Sequence, residues 1–368
     1  MENFVVSARK YRPQGFEEVV GQGHITTTLK NAIDNNHLAQ ALLFCGPRGV
    51  GKTTCARILA RLINDFEDES NESSNSLNIY ELDAASNNSV EDIRNLIDQV
   101  RYPPQQGKFK VYIIDEVHML SNQAFNAFLK TLEEPPSYAI FILATTEKHK
   151  VIPTILSRCQ IFDFNRIEIE DIALQLRKIA DTEGIDVEDE ALHLIAQKAD
   201  GALRDALSIF DLIVTFSSGN KVTYQDTIKN LHVLDYDYFF QLTDQLKGGE
   251  ISQALLVFDK ILKEGFDGHN FVVGLSEHLR NLMVCKDPET VQLLNVSGNV
   301  QAKYVDQAKN TSLGFLMSGL NILNTCDLNY KSSKNQRLHV ELTLMKLAYL
   351  EEAFNLAKSS GAKKMVTA

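Results

Sequence analysis

The apolar residues of this chain follow two different spacings, and the change between them divides the sequence into parts. Up to residue 166, short apolar runs predict buried strands at 41–45, 77–82, 110–114 and 139–143. Between these runs, apolar residues three or four positions apart predict helices at 54–64, Val90–Val100 and Asn122–Glu133. Strands that alternate with helices indicate an α/β fold in which a parallel sheet carries helices on both faces.

Beyond Arg166 the strand-like runs disappear and helical spacing continues. Helical segments are predicted at 169–180, 190–199, 202–216 and 237–357. The first three indicate a small all-helical domain that closes near residue 232. We therefore predict an α/β domain at 1–166, a small helical domain at 167–232 and a larger helical domain at 233–368.

Composition limits the function without identifying it. No apolar run approaches the ~18 residues that a membrane span requires. The first residues soon meet Arg9, Lys10 and Arg12, without the apolar stretch of a signal peptide. We therefore expect a cytoplasmic protein without membrane contact. The net charge of −11 gives no sign of a nucleic-acid partner, although a global charge does not exclude a local basic surface.

The cysteines and one polar stretch further limit the possible kinds of site. The five cysteines are scattered without CxxC spacing, which favours reduced thiols over disulfides or a zinc site. The stretch 64–76 is polar and acidic with almost nothing to bury, so we predict a mobile surface loop there.

The strongest chemical signal is the glycine-rich segment 46–53, GPRGVGKT, between a predicted strand and a predicted helix. Glycines let the backbone curl so that successive N–H groups point at phosphate oxygens, and the helix dipole points at the same place. Lys52 then reaches the outer phosphates, and the Thr53 hydroxyl is suited to Mg²⁺. The residues predicted to contact a nucleoside triphosphate are Gly46, Gly49, Val50, Gly51, Lys52, Thr53 and Thr54.

Two acids end the predicted strand at 110–114. Asp115 and Glu116 would emerge at the carboxyl edge of a parallel sheet, where ligands bind. Asp115 suits holding Mg²⁺, and Glu116 suits activating the water that attacks the γ-phosphate. Thr145 and Thr146 end the next strand, where a hydroxyl could orient that water, although threonines are also common at strand ends for structural reasons alone.

Two arginines are candidates for neutralising charge on the transferred phosphoryl group. Arg158 lies in the Ser-Arg-Cys segment after a short helix that begins at Pro153, and Arg204 lies in GALRDAL at 201–207. A lone arginine more commonly forms a surface ion pair of little energetic consequence, so both assignments depend on the nucleotide core.

Together these motifs closely resemble the gamma/tau subunits of bacterial DNA polymerase III, which are AAA+ ATPases of the sliding-clamp loader. The resemblance is dense over the first ~215 residues and diffuse beyond, where only helix content and length agree. It is carried by ARKYRP (8–13), VGQ (20–22), GPRGVGKTT (46–54), ELDAASNNSVEDIR (81–94), VYIIDEVHML (111–120), FNAFLKTLEEPP (125–136), LATTEKHK (143–150), ILSRCQ (155–160) and GALRDAL (201–207).

This resemblance implies residue roles that spacing does not show. Thr146 would be the first sensor of the γ-phosphate, and Arg204 the second, from a helical lid domain. Arg158 would be an arginine finger that enters the ATP site of the adjacent subunit. The last domain would be the collar of a five-membered ring. An adenine pocket would be lined by Tyr11, Arg12, Pro13, Val20 and Gly21.

The resemblance also implies partners and cofactors: ATP with Mg²⁺, delta and delta-prime subunits, further copies of the same chain, the beta clamp and primer–template DNA. The chain would be a DNA- and clamp-stimulated ATPase of the bacterial cytoplasm, associated with the nucleoid, without a polymerase active site of its own. DNA contacts would go to phosphates, with Arg94 and the helix beginning near Ser89 as candidates. An exposed helix charge is an equally good interpretation of Arg94.

The chain departs from the family in two places. The family usually carries four zinc-binding cysteines after the phosphate-loop helix, whereas 64–76 contains none, so we predict no zinc. The chain ends at Ala368, and we expect it to lack the tau-specific extension. Two other functions remain open at this point: a non-hydrolysing structural subunit of the same ring, and a branch-migration or remodelling motor with a related nucleotide core.

Overall fold

The computed structural model describes residues 5–64, 78–104, 107–217, 221–231, 234–294, 296 and 298–354. The chain forms two compact units, unit 1 at Met1–Thr223 and unit 2 at Tyr224–Ala368. Apart from Asn64, the loop predicted at 64–76 lies outside the described residues, and so does the segment on which the absence of zinc was predicted.

Unit 1 is built on a five-stranded parallel sheet with the spatial order β2-β3-β4-β1-β5. Its strands are β1 (Ala41–Cys45), β2 (Ile79–Asp83), β3 (Lys110–Asp115), β4 (Ala139–Thr145) and β5 (Gln160–Asp163). The prediction of a parallel α/β sheet is confirmed. The edge strand β5 was not predicted, because only Phe162 of its four residues is buried and it therefore shows no apolar run.

Helices cover both faces of this sheet. They are α1 (Ser7–Lys10), α2 (Gly23–Asp34), α3 (Lys52–Leu62), α4 (Val90–Val100), α5 (Asn122–Glu133) and α6 (Pro153–Leu156), with 3₁₀ turns at Phe16–Glu18, Val117–Met119 and Lys148–Lys150. Alternate residues of β3 enter different cores, because successive side chains of a strand point to opposite faces. Val111 packs with the core against α3, and Tyr112 packs with the core against α4 and α5.

The rest of unit 1 is a small, mainly helical region. Its elements are α7 (Ile169–Glu183), β6 (Asp186–Val187), α8 (Asp189–Lys198), α9 (Leu203–Phe216) and β7 (Lys221–Val222). The prediction that this region is all-helical is wrong in one detail, since β6 and β7 form a short parallel pair. A strand of two residues has no periodicity that a sequence pattern could reveal.

The regular elements described in unit 2 are helices, as predicted. They are α10 (Tyr224–Leu231), α11 (Tyr236–Lys247), α12 (Ile251–Lys263), α13 (Gly268–Val284), α14 (Gly298–Lys309), α15 (Leu313–Tyr330) and α16 (Gln336–Ala348), with a 3₁₀ turn at Val291–Leu293. The apolar faces of α11 to α16 share one core. Within the described parts of the chain, none of the helices combines the length and apolarity needed to cross a membrane.

A buried histidine lies in the core of unit 2. His278 on α13 is 1% exposed, and its ring nitrogens lie 3.1 Å from the Tyr304 hydroxyl and 3.0 Å from Gln307 Oε1. Since the Gln307 amide nitrogen donates to the Phe240 carbonyl, its Oε1 faces the ring and accepts from Nε2–H. His278 Nδ1 therefore accepts from Tyr304, which is the bonding pattern of a neutral imidazole. Burial lowers the pKa of His278 to about 4.

We expect unit 2 to lose stability in mild acid. The unfolded chain binds a proton at His278 near the ordinary pKa of 6.5, whereas the folded chain does so only near 4. Stability from this group is therefore complete above pH 6.5 and falls towards pH 4, by about 2 kcal/mol at pH 5. Hydrogen exchange of α13 amides, corrected for intrinsic rates, should show this loss between pH 7.5 and 5 in the wild type and much less in His278→Gln. Equal losses in both proteins would contradict the prediction.

Candidate nucleotide-binding and hydrolysis site

The loop between β1 and α3 has the backbone shape that cradles phosphate. Gly46, Gly49 and Gly51 all have positive φ angles, of 146°, 77° and 102°. A Cβ on Gly46 would lie 2.4 Å from the Phe164 carbonyl oxygen, so the loop approaches the neighbouring backbone too closely for another residue. Gly51 precedes the first residue of α3 and offers no side-chain cap, which leaves the amides of the first helical turn available to an anion.

Lys52 closes this loop through its side chain. Its Nζ donates to the carbonyl oxygens of Gly46 (2.8 Å) and Pro47 (2.7 Å), and the residue is only 6% exposed. Burial lowers the pKa of the ammonium below its ordinary value, and the nearby carboxylates of Glu116 and Asp115 partly offset this effect. The lysine is thus a poorly solvated cation held at the loop, which favours exchange of its carbonyl partners for phosphate oxygens.

The predicted magnesium ligands lie side by side. The Thr53 hydroxyl donates to Asp115 Oδ2 at 2.7 Å, and the other carboxylate oxygen accepts from the backbone N–H of Glu116 at 2.9 Å. A hydroxyl and a carboxylate are the hard oxygen donors that Mg²⁺ prefers alongside phosphate and water. These residues therefore fit a magnesium ion.

Glu116 follows directly at the carboxyl end of β3. Its φ of 47° lies in the left-handed region, which is uncommon for a residue with a side chain and turns the carboxylate out of the strand line. Thr146 holds this carboxylate: its hydroxyl donates to Oε2 at 3.0 Å and its backbone N–H at 3.4 Å. The structure thus brings together the proposed base and the proposed first sensor.

The phosphate loop, the Thr53–Asp115 pair and Glu116 open onto one cavity of about 290 Å³. Of the predicted residues it is lined by Tyr11, Arg12, Pro13, Val20, Gly49, Val50, Gly51, Lys52, Thr53, Thr54, Asp115, Glu116 and Arg204. Sequence reasoning missed Ala8, Val19, Arg48, Ile167, Leu203 and Leu207. Ala8 lies in the motif ARKYRP, Arg48 lies in the loop motif, and both leucines lie in GALRDAL around Arg204, so these motifs carried a signal for four of the six. Most of the missed residues are apolar, which suits the face of a base.

Three predicted residues support the cavity from outside its lining. Gly21, with φ of 71°, packs so closely on Ile167 that a Cβ would lie 2.8 Å from its Cγ2, and Ile167 itself lines the cavity. Gly46 shapes the phosphate loop, and Thr146 contacts the cavity through Glu116.

The helical region of unit 1 contacts the phosphate loop directly. The backbone N–H of Arg204, near the start of α9, donates to the Gly49 carbonyl at 3.3 Å, and a Cβ on Gly49 would lie 3.0 Å from that of Ala202. Arg12 also lines the cavity, and burial, followed by the charges of Arg57 and Arg204, lowers the pKa of its guanidinium. Positive charge therefore accumulates where a polyphosphate would neutralise it.

Two predicted residues lie apart from the cavity. Arg158 is exposed after α6, where its guanidinium donates to the Thr154 carbonyl at 2.7 Å and forms an ion pair with Glu133. Arg94 is exposed on α4.

The N-terminus of α4 is already capped. Ser89 Oγ accepts from the Asp92 N–H at 3.2 Å, and the Asp92 carboxylate accepts from the Ser89 N–H at 3.2 Å. This capping box occupies two amides and places a negative charge at the helix start. A phosphate contact there stays a prediction that the geometry of the cap does not favour.

A phosphate loop between a parallel strand and a helix, an acid pair on the adjoining strand edge and an arginine from a small helical region define an ATPase fold of the AAA+ class. Three family models match the chain: DNA polymerase III, delta subunit, at 21–168; DNA polymerase III clamp loader subunit, ATPase lid domain, at 171–219; and DNA polymerase III subunits gamma and tau domain III at 222–360. The chain belongs to the gamma/tau family of DNA polymerase III clamp-loader subunits, which confirms the resemblance.

Individual relatives agree with this assignment. DNA polymerase III subunit tau of Bacillus subtilis (strain 168) is 38% identical over 351 residues, which cover 92% of this chain and 62% of the relative. Subunit gamma of Buchnera aphidicola subsp. Baizongia pistaciae is 34% identical over 361 residues, or 94% of this chain and 97% of the relative. A solved structure of the Thermotoga maritima RuvB Holliday junction branch migration motor is 20% identical, with a TM-score of 0.49, over 64% of this chain and 79% of its own. That likeness is too low to inform function.

Proposed function

We propose that this chain is an ATP-hydrolysing motor subunit of the DNA polymerase III clamp loader, which loads the beta sliding clamp onto primer–template DNA. One observation carries the proposal: Lys52, the Thr53–Asp115 pair, Glu116 and Arg204 open onto the same cavity. A non-hydrolysing structural subunit would have no use for a catalytic base beside the metal-binding pair.

Binding of ATP follows from the geometry of the loop. The phosphates take the amides at the start of α3, and Lys52 exchanges two carbonyl oxygens for phosphate oxygens. Thr53 and Asp115 would hold Mg²⁺, which would neutralise phosphate charge when bound. The adenine lies by the residues at 11–13 and 20–21.

Hydrolysis requires an oriented water in line with the γ-phosphate. Glu116 acts as the base for this water, and Thr146 fixes the carboxylate through its hydroxyl and backbone N–H. Arg204 contacts the γ-phosphate bound in the cavity of its own chain.

Arg158 acts on a neighbouring subunit. Its exposed position away from the cavity of its own chain supports a role in trans. ATP then stabilises the interface, because the guanidinium of one subunit contacts the γ-phosphate that another subunit holds. After hydrolysis that contact is lost and the grip on clamp and DNA weakens.

We further propose that the chain consists of an α/β domain at 1–166, a lid at 167–232 and a collar at 233–368. Its ring partners would be delta, delta-prime and further copies of the chain, in the cytoplasm near the nucleoid.

The proposal is tested by ATP turnover of the purified chain, first alone and then with delta, delta-prime, beta clamp and primer–template DNA. Turnover that rises when clamp and DNA are added together supports a clamp-loader motor. ATP binding without turnover in the complete mixture would instead identify a structural ring subunit. Stimulation by four-way junction DNA, without any effect of the clamp, would favour a branch-migration motor.

We expect Arg158→Ala to leave ATP binding unchanged and to slow turnover in the assembled complex by about a thousandfold, the contribution of a transition-state arginine supplied in trans. The measurement compares ATP affinity and turnover in the isolated chain and in the complex. Arg101→Ala is the matched control, because Arg101 is 74% exposed and forms a surface ion pair with Asp98 on its own helix turn. A loss of equal size in the isolated chain would contradict action in trans.

A further inference from the structure

His118 lies between two carboxylates, one of which is that of the proposed base, Glu116. It belongs to the 3₁₀ turn Val117–Met119 that follows Glu116, and its side chain is only 6% exposed. Nδ1 lies 3.4 Å from Glu116 Oε2, and Nε2 lies 3.1 Å from Glu147 Oε2. The imidazole therefore connects the carboxylate at the end of β3 with one just beyond the end of β4.

Both sides of this imidazole are fixed by the end of β4. The Thr145 hydroxyl lies 3.1 Å from His118 Nδ1 and accepts from the Glu147 backbone N–H at 3.1 Å. Thr146 donates to the same oxygen of Glu116 that His118 approaches. His118, Thr145, Thr146 and Glu147 thus form one polar cluster around Glu116, which we call the Glu116 cluster. Such a network fixes orientation more strongly than its separate contacts would.

Glu147 extends the Glu116 cluster to the surface. Lys150 Nζ donates to Glu147 Oε2 at 2.6 Å, and the lysine side chain is 51% exposed on the 3₁₀ turn Lys148–Lys150. The hydrogen bond from Lys150 lowers the pKa of the Glu147 carboxyl below its ordinary value, so Glu147 is a carboxylate at neutral pH. This surface turn precedes α6 and Arg158, the segment proposed to face a neighbouring subunit.

We propose that His118 is a positioning residue that sets the orientation of the Glu116 carboxylate and couples it to Glu147. The inference rests on the proposed role of Glu116 as the base. A catalytic carboxylate must hold its water within hydrogen-bond distance and in line with the phosphate. His118 limits the rotation of Glu116 from one side while Thr146 limits it from the other. The Glu147–Lys150 pair can then alter that orientation from the surface.

The test distinguishes an effect on the orientation of Glu116 from an effect on ATP binding. We expect His118→Ala in the otherwise complete clamp-loader mixture to lower kcat by about 10- to 100-fold, the effect of a misplaced catalytic group. The affinity for ATP, measured with a fluorescent ATP analogue, should stay within about twofold, because His118 does not line the cavity. His118→Asn should recover most of kcat, since its amide can occupy the Nδ1 position beside Glu116 and Thr145.

Coupling to Glu147 is tested by a double-mutant cycle. Glu147→Ala should lower kcat in the wild type and have no further effect in His118→Ala, because the link is then already broken. His149→Ala is the matched control, because this histidine is 76% exposed and lies 3.8 Å from Glu147. The kcat of this variant should equal that of the wild type.

Three results would overturn the inference. They are wild-type kcat in His118→Ala, additive losses in the cycle, and an equal kcat loss in His118→Asn and His118→Ala. Lack of turnover in the wild type would instead refute the proposed function, so the two failures are distinguishable. Melting temperatures of all variants identify any loss that comes from unfolding.

Discussion

Lys52→Ala is expected to remove tight ATP binding, with an affinity loss of about a hundredfold or more, because a charge-assisted contact to the outer phosphates contributes up to about 3 kcal/mol. In the structure the ammonium is buried and donates only to the loop carbonyls of Gly46 and Pro47 among the described residues. The substitution therefore removes the phosphate partner and leaves those two carbonyls without their donor. Titration with a fluorescent ATP analogue measures the loss directly.

Lys30→Ala provides the matched control, because Lys30 is an exposed lysine on α2 outside the cavity lining. Its affinity for ATP should equal that of the wild type. The melting temperature of both variants distinguishes lost binding from lost folding. Tight ATP binding by a folded Lys52→Ala protein would contradict the phosphate role of this residue and, with it, the nucleotide site.

The phosphate loop was predictable because the contacts that define it are local. The apolar run of β1, the glycines and the following helix succeed one another within 41–62, and the structure has them in that order. The apolar spacing of this helix begins at residue 54, whereas α3 itself begins at Lys52, where the phosphate-loop motif places its start. Apolar spacing misses this first turn because Lys52 and Thr53 face the phosphate site and belong to no apolar face.

Contacts between distant segments were not predictable from spacing. Glu116 and Thr146 are 30 residues apart, and a threonine at a strand end has common structural explanations. Only the family resemblance singled out Thr146. Neither route identified His118, although it stands in the same VYIIDEVHML segment as Asp115 and Glu116. Its role depends on Glu147, which only the parallel pairing of β3 and β4 brings near.

The apolar residues that line the cavity were likewise not predictable from sequence spacing. Ile167 lies directly after the region predicted as the α/β domain, and nothing in its local pattern marks it as a contact. The close approach of Gly21 places it there. A residue whose role comes from packing against a distant glycine has no sequence signal in a single chain.

Glu116→Gln should bind ATP as the wild type does and lose turnover by about 10²- to 10⁴-fold, the usual contribution of a general base. Glutamine keeps the size of the side chain and an oxygen that can accept from Thr146, so the Glu116 cluster stays in place while the basic oxygen is removed. ATP affinity and single-turnover hydrolysis, measured on the same preparation in the complete clamp-loader mixture, separate the two effects.

The choice between Glu116 and its neighbours as the base is decided by controls. Asp115 accepts hydrogen bonds from Thr53 and from the Glu116 backbone, so its oxygens are committed to the magnesium side of the site. The Glu116 carboxylate accepts from Thr146, which orients it, and Glu116 lines the cavity. Glu134→Gln, an exposed acid after α5, should leave turnover unchanged. Wild-type hydrolysis by Glu116→Gln would transfer the role of base to another group, and the inference about His118 would then lose its foundation.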